Sequence, residues 1–307
     1  MIQLQNIGKS FDGRPVVKNI SFTVNDKENL VLLGTSGCGK TTTLKMINRL
    51  IEPTHGNVLI NGEDVTKQKP EDLRKQIGFV MQNIGLFPHY TIAQNIAVVP
   101  RLSGWEAARI ETRTQELAAK LHLPEGVLQK YPHQLSGGQQ QRVGLARALM
   151  CDTSILLMDE PFGALDNVTR AGIVAEFKAL EELKRKTIIM VTHDIQEAFE
   201  LADRICLMDK GEIVQIGTPK ELLYKPATPF ARSFFDSYRL ILEFKVVTLN
   251  DIKPFMKNTI CAEGSELPET TSVWNAMEHL KDSKNNTDSF EEVTRAFYQY
   301  QNTQAYE

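Results

Sequence analysis

The 307-residue chain has only four cysteines, Cys38, Cys151, Cys206 and Cys261, and no two of them form a CxxC pair. That spacing argues against a zinc site and for thiols kept reduced in a cytosolic compartment. No apolar run approaches the roughly 18 residues that cross a bilayer. The opening MIQLQNIGKS has no apolar core of the secretory-signal kind. The expectation is a protein neither secreted nor itself a channel. A strong basic excess is also missing: residues 243–307 carry a net −5 and the first 242 residues +2. Nucleic acid is therefore not the expected partner. Internal repeats and low-complexity tracts are absent as well. What remains is ordinary globular composition, 42% hydrophobic and 24% charged. The length suits one large domain, or one with a small appendage, and a chain this size buries roughly 75% of its unfolded surface without staples.

The first sixty residues read as short strands and turns. Ile20, Phe22 and Val24 alternate with polar residues, as do Val58 and Ile60 before the Asn61-Gly62 turn signal. Leu30 to Leu33 form a buried strand ending at a glycine, and residues 41–50 have helical periodicity. Further short apolar runs cover Gly78 to Met81, Ile155 to Met158, Thr187 to Val191 and Ile205 to Met208. Strands alternating with helical segments predict a parallel sheet covered on both faces. Two stretches break the alternation. Residues 84–150 are mostly helical in pattern, with Pro88, Pro100, Pro124 and Pro132 interspersed, and read as a helical subdomain inserted between two strands. After Tyr238 the composition turns acidic and richer in Thr, Asn and Ser, as in a separate small unit or a partly ordered extension.

Gly34-Thr35-Ser36-Gly37-Cys38-Gly39-Lys40-Thr41 fits GxxxxGK[ST] between a predicted strand and a predicted helix. The glycines let the backbone curl until several N–H groups aim at one polyanion, where side chains would collide with it. The helix start adds its positive dipole end. In such a loop Lys40 reaches the β- and γ-phosphates and the Thr41 hydroxyl ligates Mg²⁺. Ile155 to Met158 then form a buried strand that delivers Asp159 and Glu160 to the edge of the sheet beside this cradle. Asp159 is expected to hold Mg²⁺, directly or through water, and Glu160 to polarise an attacking water as general base.

A second anion-binding helix start follows from Leu135-Ser136-Gly137-Gly138-Gln139, with Ser136 as cap and two glycines exposing backbone N–H groups. One nucleotide per chain cannot need both devices unless they serve different partners. With these motifs, the first 240 residues or so resemble an ATP-binding cassette (ABC) ATPase. The resemblance implies an α/β P-loop NTPase of RecA-like type. Its parts would be an antiparallel β-subdomain, an inserted helical subdomain over about 84–150 and a small C-terminal extension, with residues 1–240 as the ATPase domain and 241–307 as the extension. It implies a head-to-tail homodimer with ATP and Mg²⁺ between one copy's Gly34–Thr42 loop and the other's Leu135–Gln139 signature, where Ser136 and Gly138 touch the γ-phosphate. Gln82 matches the glutamine that senses Mg²⁺ and water, His193 the switch histidine, and Asp166, in Gly163-Ala164-Leu165-Asp166, the dimer-spanning loop. Phe11, with Val16 near it, occupies the place of the aromatic that stacks on adenine; the other reading of Phe11 is a core aromatic.

The output surface is expected in NIGLFPHYTIAQNIAVV, residues 83–99. There Leu86, Phe87, Tyr90 and Ile92 either offer a groove to the cytoplasmic helices of a permease or pack inside the helical subdomain. The phrases INRLIEP and IGLFPH, within GTSGCGKTTTLKMINRLIEP and QNIGLFPHYTIAQNIAVVPRL, together with YPHQLSGGQQQRVGLARAL, resemble importer ATPases for glycine betaine, carnitine, choline and related quaternary amines. That resemblance implies a peripheral subunit at the cytoplasmic face of the cell membrane, bound to permease subunits and, through them, to an extracytoplasmic substrate-binding protein. Other readings are an importer ATPase for a different small solute, or a non-transport ABC ATPase of translation or DNA repair. Those last usually carry two cassettes or a coiled-coil insertion, and neither is seen here. A P-loop kinase leaves residues 135–139 unexplained. The stretch after Tyr238 is too short for the two cystathionine-β-synthase-like modules that many of these importer ATPases carry. Thr270 to Met277 faintly resemble the opening of one, with Val273, Met277 and Leu280 at helical spacing; a generic amphipathic helix aiding dimerisation is the alternative.

Overall fold

The computed structural model describes residues 1–163, 165–257, 261–262, 265–281 and 287–304. Its strands are β1 Ile2–Phe11, β2 Arg14–Val24, β3 Asn29–Gly34, β4 His55–Ile60, β5 Glu63–Asp64, β6 Ile77–Val80, β7 Ile155–Asp159, β8 Thr187–Val191, β9 Arg204–Asp209, β10 Glu212–Gly217, β11 Cys261–Ala262 and β12 Ser265–Glu266. The first seven helices are α1 Lys40–Ile47, α2 Pro70–Lys75, α3 Ile92–Ile96, α4 Val98–Leu102, α5 Ala107–Lys120, α6 Gly137–Leu149 and α7 Asn167–Ala179. The others are α8 Ile195–Leu201, α9 Pro219–Tyr224, α10 Pro229–Asp236, α11 Arg239–Val246, α12 Leu249–Ile252, α13 Val273–Lys281 and α14 Thr287–Thr303.

Two sheets frame the first part of the chain. One is antiparallel, in the order β2-β1-β4-β5, with Ile2, Leu4, Ile20, Val24 and Val58 turned to its buried face. The other has the order β10-β9-β3-β8-β7-β6, and its neighbours β3/β8, β8/β7 and β7/β6 run parallel. Every residue of β7 and β8 is buried, as continuous apolar runs require of strands covered on both faces. Register then does the positioning. Leu32 stands beside Val191, Val191 beside Asp159, and Met158 beside Val80, so the chain leaves β3, β8, β7 and β6 at neighbouring points along one edge.

Between β6 and β7 lie α3 to α6, in the inserted stretch the sequence predicts as helical. Thr91 caps α3: its hydroxyl accepts from Gln94 N at 3.2 Å, while Gln94 Oε1 accepts from Thr91 N at 2.8 Å. On α5, Ile110, Thr114 and Leu117 recur on one face and are buried. Ile92, read as a possible groove residue, is completely buried inside this layer, whereas Phe87 and Tyr90 are exposed with their rings 5.2 Å apart. The packing reading holds for Ile92 because it begins the apolar face of α3, while Phe87 and Tyr90 sit on the loop before that helix starts.

The chain divides into two compact units, Met1–Glu197 with Cys206–Ile213, and Ala198–Ile205 with Val214–Glu307. The second has a core of its own. Val247, Ile252, Val273, Ala276, Val293, Ala296 and Phe297 are fully buried in it, and Phe244 stacks on Phe297 at 4.3 Å. Val273 and Leu280 of α13 face that core, with Met277 partly buried against it. Glu243 is fully buried there, and its carboxylate accepts from Arg239 Nε at 2.9 Å and Gln301 Nε2 at 2.7 Å. A buried charge held on two sides pins α11 to α14.

Candidate functional site

The loop between β3 and α1 has a backbone that only glycine tolerates at two places. Gly34 has φ +150° and a Cβ there would overlap the Met208 carbonyl oxygen; Gly39 has φ +102° and its Cβ would lie 2.9 Å from Val16 O. The second contact also puts Val16, half-buried, directly against the loop. Thr35, Ser36 and Gly37 are exposed, Thr42 is half-buried, and Cys38, Gly39 and Lys40 are buried. Lys40 Nζ donates to Gly34 O at 2.9 Å and Thr35 O at 2.8 Å, so the ammonium is turned into the loop that the glycines shape. Thr35 Oγ1 in turn donates to Asp209 Oδ1 at 2.9 Å.

Immediately after this loop, Thr41 Oγ1 donates to Asp159 Oδ1 at 2.7 Å. Asp159 is 3% exposed. Burial pushes its carboxyl above the usual carboxylate range, while Thr41 and Lys45 pull it back down. A buried anion beside a hydroxyl is a pair of hard oxygen donors that a divalent cation would neutralise.

One residue further, three strand ends converge. Glu160 Oε2 accepts from Gln82 Nε2 at 3.1 Å and lies 3.2 Å from His193 Nδ1. Gln82 follows β6, Glu160 follows β7 and His193 follows β8, so the parallel register brings them together. Glu160 pays for this in its backbone, with φ +46° and its N–H donating to Val191 O at 2.9 Å. A bulky residue in the left-handed region costs of order 1–3 kcal/mol and marks a site the surroundings hold in place.

The signature forms a site of a different kind. Ser136 caps α6: its hydroxyl accepts from Gln139 N at 3.3 Å, and Gln139 Oε1 accepts from Ser136 N at 3.1 Å. Leu135 is buried beneath, Ser136 and Gly137 are exposed, Gly138 is half-buried, and a Cβ on Gly137 would meet open space. Among the described residues, no hydrogen bond from 135–139 reaches residues 34–42 or the Gln82–Glu160–His193 group. Phe11, at the end of β1, is 43% exposed, which excludes the core reading; Lys9 Nζ lies 5.1 Å from its ring centre. Asp166 leads into α7, its carbonyl accepting from Arg170 N at 2.9 Å; Ala164 lies outside the described residues.

Sequence reasoning missed the layer behind His193. Thr192 Oγ1 accepts from Asp194 N at 3.0 Å, Asp194 Oδ1 accepts from Glu197 N at 3.0 Å, and Arg170 reaches Asp194 Oδ2 at 2.8 Å. The available signal was Asp194 three residues before Glu197 ahead of a helix, the spacing of a capping box.

Residues 17–163 match the ABC transporter family model. The chain is 45% identical over 277 residues to the glycine betaine uptake system ATP-binding protein YehX of Escherichia coli (strain K12), covering 90% of this chain and 89% of that one. This chain belongs to the ABC transporter ATP-binding proteins. A second member, the glycine betaine/carnitine/choline transport ATP-binding protein OpuCA of Bacillus subtilis (strain 168), is 49% identical over 242 residues, 78% of this chain but 64% of its own length. Among solved structures, the dimeric post-hydrolysis state of the ATP-binding cassette MJ0796 bound to ADP and Pi superposes with a TM-score of 0.65 at 33% identity, covering 71% of this chain and 98% of that one. The ABC cassette fold is thus present, with P-loop and signature on separate elements.

Glu197, 6% exposed, gives this site a pH signature. Burial raises its carboxyl from the ordinary 4.5 to about 7; the Thr192 hydroxyl opposes that and Asp194 adds to it. The folded state therefore holds a proton between about pH 4.5 and 7 that the unfolded chain has released, so this contribution is full below pH 4.5 and is lost as pH rises to about 7. In urea titrations at pH 5 and pH 8, Glu197→Gln should show a smaller fall in stability with rising pH than the parent chain. An equal fall in both would take Glu197 out of this role.

Proposed function

We propose that this chain is the ATP-hydrolysing subunit of an importer, energising uptake of a quaternary-amine compatible solute of the glycine betaine, carnitine or choline type through membrane permease subunits. The observation that carries the reading is the meeting of Gln82, Glu160 and His193 on one carboxylate oxygen, one residue beyond the Thr41–Asp159 pair. The names of the relatives supply the solute class, since no residue described above contacts a solute. We take residues 1–240 as the ATPase domain and 241–307 as an appended unit.

In this reading Gly34, Thr35, Ser36, Gly37, Cys38, Gly39, Lys40, Thr41 and Thr42 hold the phosphates of ATP through backbone N–H groups and the Lys40 ammonium. Phe11 offers its exposed ring to the base, with Val16 beside it. Thr41, Asp159 and Gln82 would hold Mg²⁺, which supplies charge neutralisation for the phosphates when bound. Glu160 orients and polarises the attacking water as general base, an effect worth about 10²–10⁴-fold in rate. His193 Nδ1 stands 3.2 Å from Glu160 Oε2, so the imidazole is placed beside the carboxylate that faces the attacking water.

The partner copy completes the site. Ser136 spends its oxygen as an acceptor from Gln139 N, leaving its hydroxyl proton to donate to a γ-phosphate on another chain. The whole Leu135–Gln139 signature and Asp166 of one copy face the cradle of the other in a head-to-tail homodimer. Phe87 and Tyr90 present an apolar surface to the permease. No helix among the described residues is long and apolar enough to cross a membrane, in keeping with a peripheral subunit held at the cytoplasmic face by its permease. An extracytoplasmic binding protein is met only through that permease.

Glu160→Gln should slow turnover at least about 100-fold and accumulate an ATP-bound dimer, read by light scattering at saturating ATP; a monomer there would contradict the sandwich. The solute class is tested by uptake of radiolabelled betaine, carnitine and choline in a strain lacking this chain. Loss of uptake of at least one, restored by the chain and not by Glu160→Gln, is expected. Unchanged uptake of all three would remove the quaternary-amine assignment.

A further inference from the structure

Arg170 occupies a place that the roles above do not use. It stands on the first turns of α7, four residues after Asp166, and its guanidinium forks between two segments. Nη2 donates to Leu165 O at 3.0 Å, on the loop that leads to Asp166, and Nη1 donates to Asp194 Oδ2 at 2.8 Å, on the loop that carries His193. The pair is partly shielded, with side-chain exposures of 19% and 29%. Asp194 is itself fixed by its N–H on Thr192 Oγ1 and by its other oxygen on Glu197 N. Nε of Arg170 is buried without a partner. An unsatisfied buried donor is a cost, accepted here for the reach of the two terminal nitrogens.

We infer that Arg170 is a positioning residue that ties the Asp166 loop to the His193 loop, so that displacement of the first moves the imidazole relative to Glu160. The inference deepens the proposed reading, because there the Asp166 loop faces the partner copy and His193 serves the attacking water. Arrival of a second copy would then be felt at the 3.2 Å His193–Glu160 contact through one rigid fork. A planar guanidinium suits this where an ammonium does not: it holds a carboxylate and a carbonyl at a fixed mutual angle, whereas a lysine head makes point contacts on a flexible stem. Asp194 adds a second restraint, since the oxygen it gives to Glu197 N orients the start of α8.

The test compares Arg170→Ala, Arg170→Lys and Asp194→Asn; the last keeps an acceptor for Glu197 N while removing the charge that Arg170 grips. Turnover at saturating ATP should fall about tenfold or more in Arg170→Ala, the scale expected of a slightly displaced reacting group, while Kd for ATP stays within about twofold. Arg170→Lys should recover only part of the loss. Asp194→Asn should lower kcat in the same direction, and the double variant should be no worse than the poorer single one, as expected of two ends of one contact. In the Glu160→Gln background, Arg170→Ala should still give the ATP-bound dimer, which separates positioning from general collapse. A kcat within about twofold of the parent, or a parallel loss of ATP affinity and turnover with no rescue by lysine, would overturn the inference. A Glu160→Gln chain that stays monomeric with Arg170 intact would instead strike at the sandwich, and the kcat and Kd comparison would still decide the role of Arg170 within one protomer.

Discussion

A single carboxylate oxygen, Oε2 of Glu160, gathers the ends of three adjacent parallel strands. Gln82 comes to it from beyond β6 and His193 from beyond β8, and Glu160 itself sits in a left-handed backbone conformation at the end of β7. None of these residues is near another in sequence. They meet because the apolar runs of these strands bury the faces of the sheet and fix its register, and register fixes where the chain exits. A one-residue slip of β7 against β8 would turn Asp159 from the Thr41 hydroxyl and carry Glu160 off His193. The chemistry at the edge is therefore a consequence of hydrophobic packing in the middle. Ligand placement outside the carboxyl ends of parallel strands follows from the same geometry.

The signature obeys a different logic. Its serine is engaged in capping its own helix, and its Gly137 stands open toward solvent, with no hydrogen bond to the phosphate loop of the same chain among the described residues. A helix start built this way presents free backbone N–H groups of the kind that bind anions. In the sandwich dimer we propose, each copy lends its capped helix start to the cradle of the other. The dimeric MJ0796 cassettes show that chains of this fold pair. In that proposal ATP is a ligand that fits only the closed state, and its loss releases the pair.

Much of this was legible in the residues. GxxxxGK[ST] after an apolar run and before a helical one specified the β3–α1 turn, and the run Ile155 to Met158 specified where Asp159 and Glu160 would emerge. Ser136 read as a helix cap and is one. The rest depended on long-range contact. The fork from Arg170 to Asp194 spans 24 residues, and nothing in the local pattern around Arg170 distinguishes it from a solvated helix residue. Burial of Glu197 was likewise invisible, because a Glu on a short amphipathic helix reads as surface. Ile92 went to the core since α3 begins with it, a boundary set by the Thr91 capping box. The C-terminal stretch looked acidic and polar, yet its sparse apolar residues, from Val247 to Tyr300, close a core by spacing rather than by number.

The central claim is that neither copy holds a complete hydrolytic centre. The most direct measurement is turnover per chain as a function of protein concentration at saturating ATP, with oligomeric state followed by light scattering in the same samples. The account predicts a rate per chain that climbs with concentration and levels off where dimers dominate. A constant rate per chain, persisting into dilutions where only monomers scatter, would contradict it.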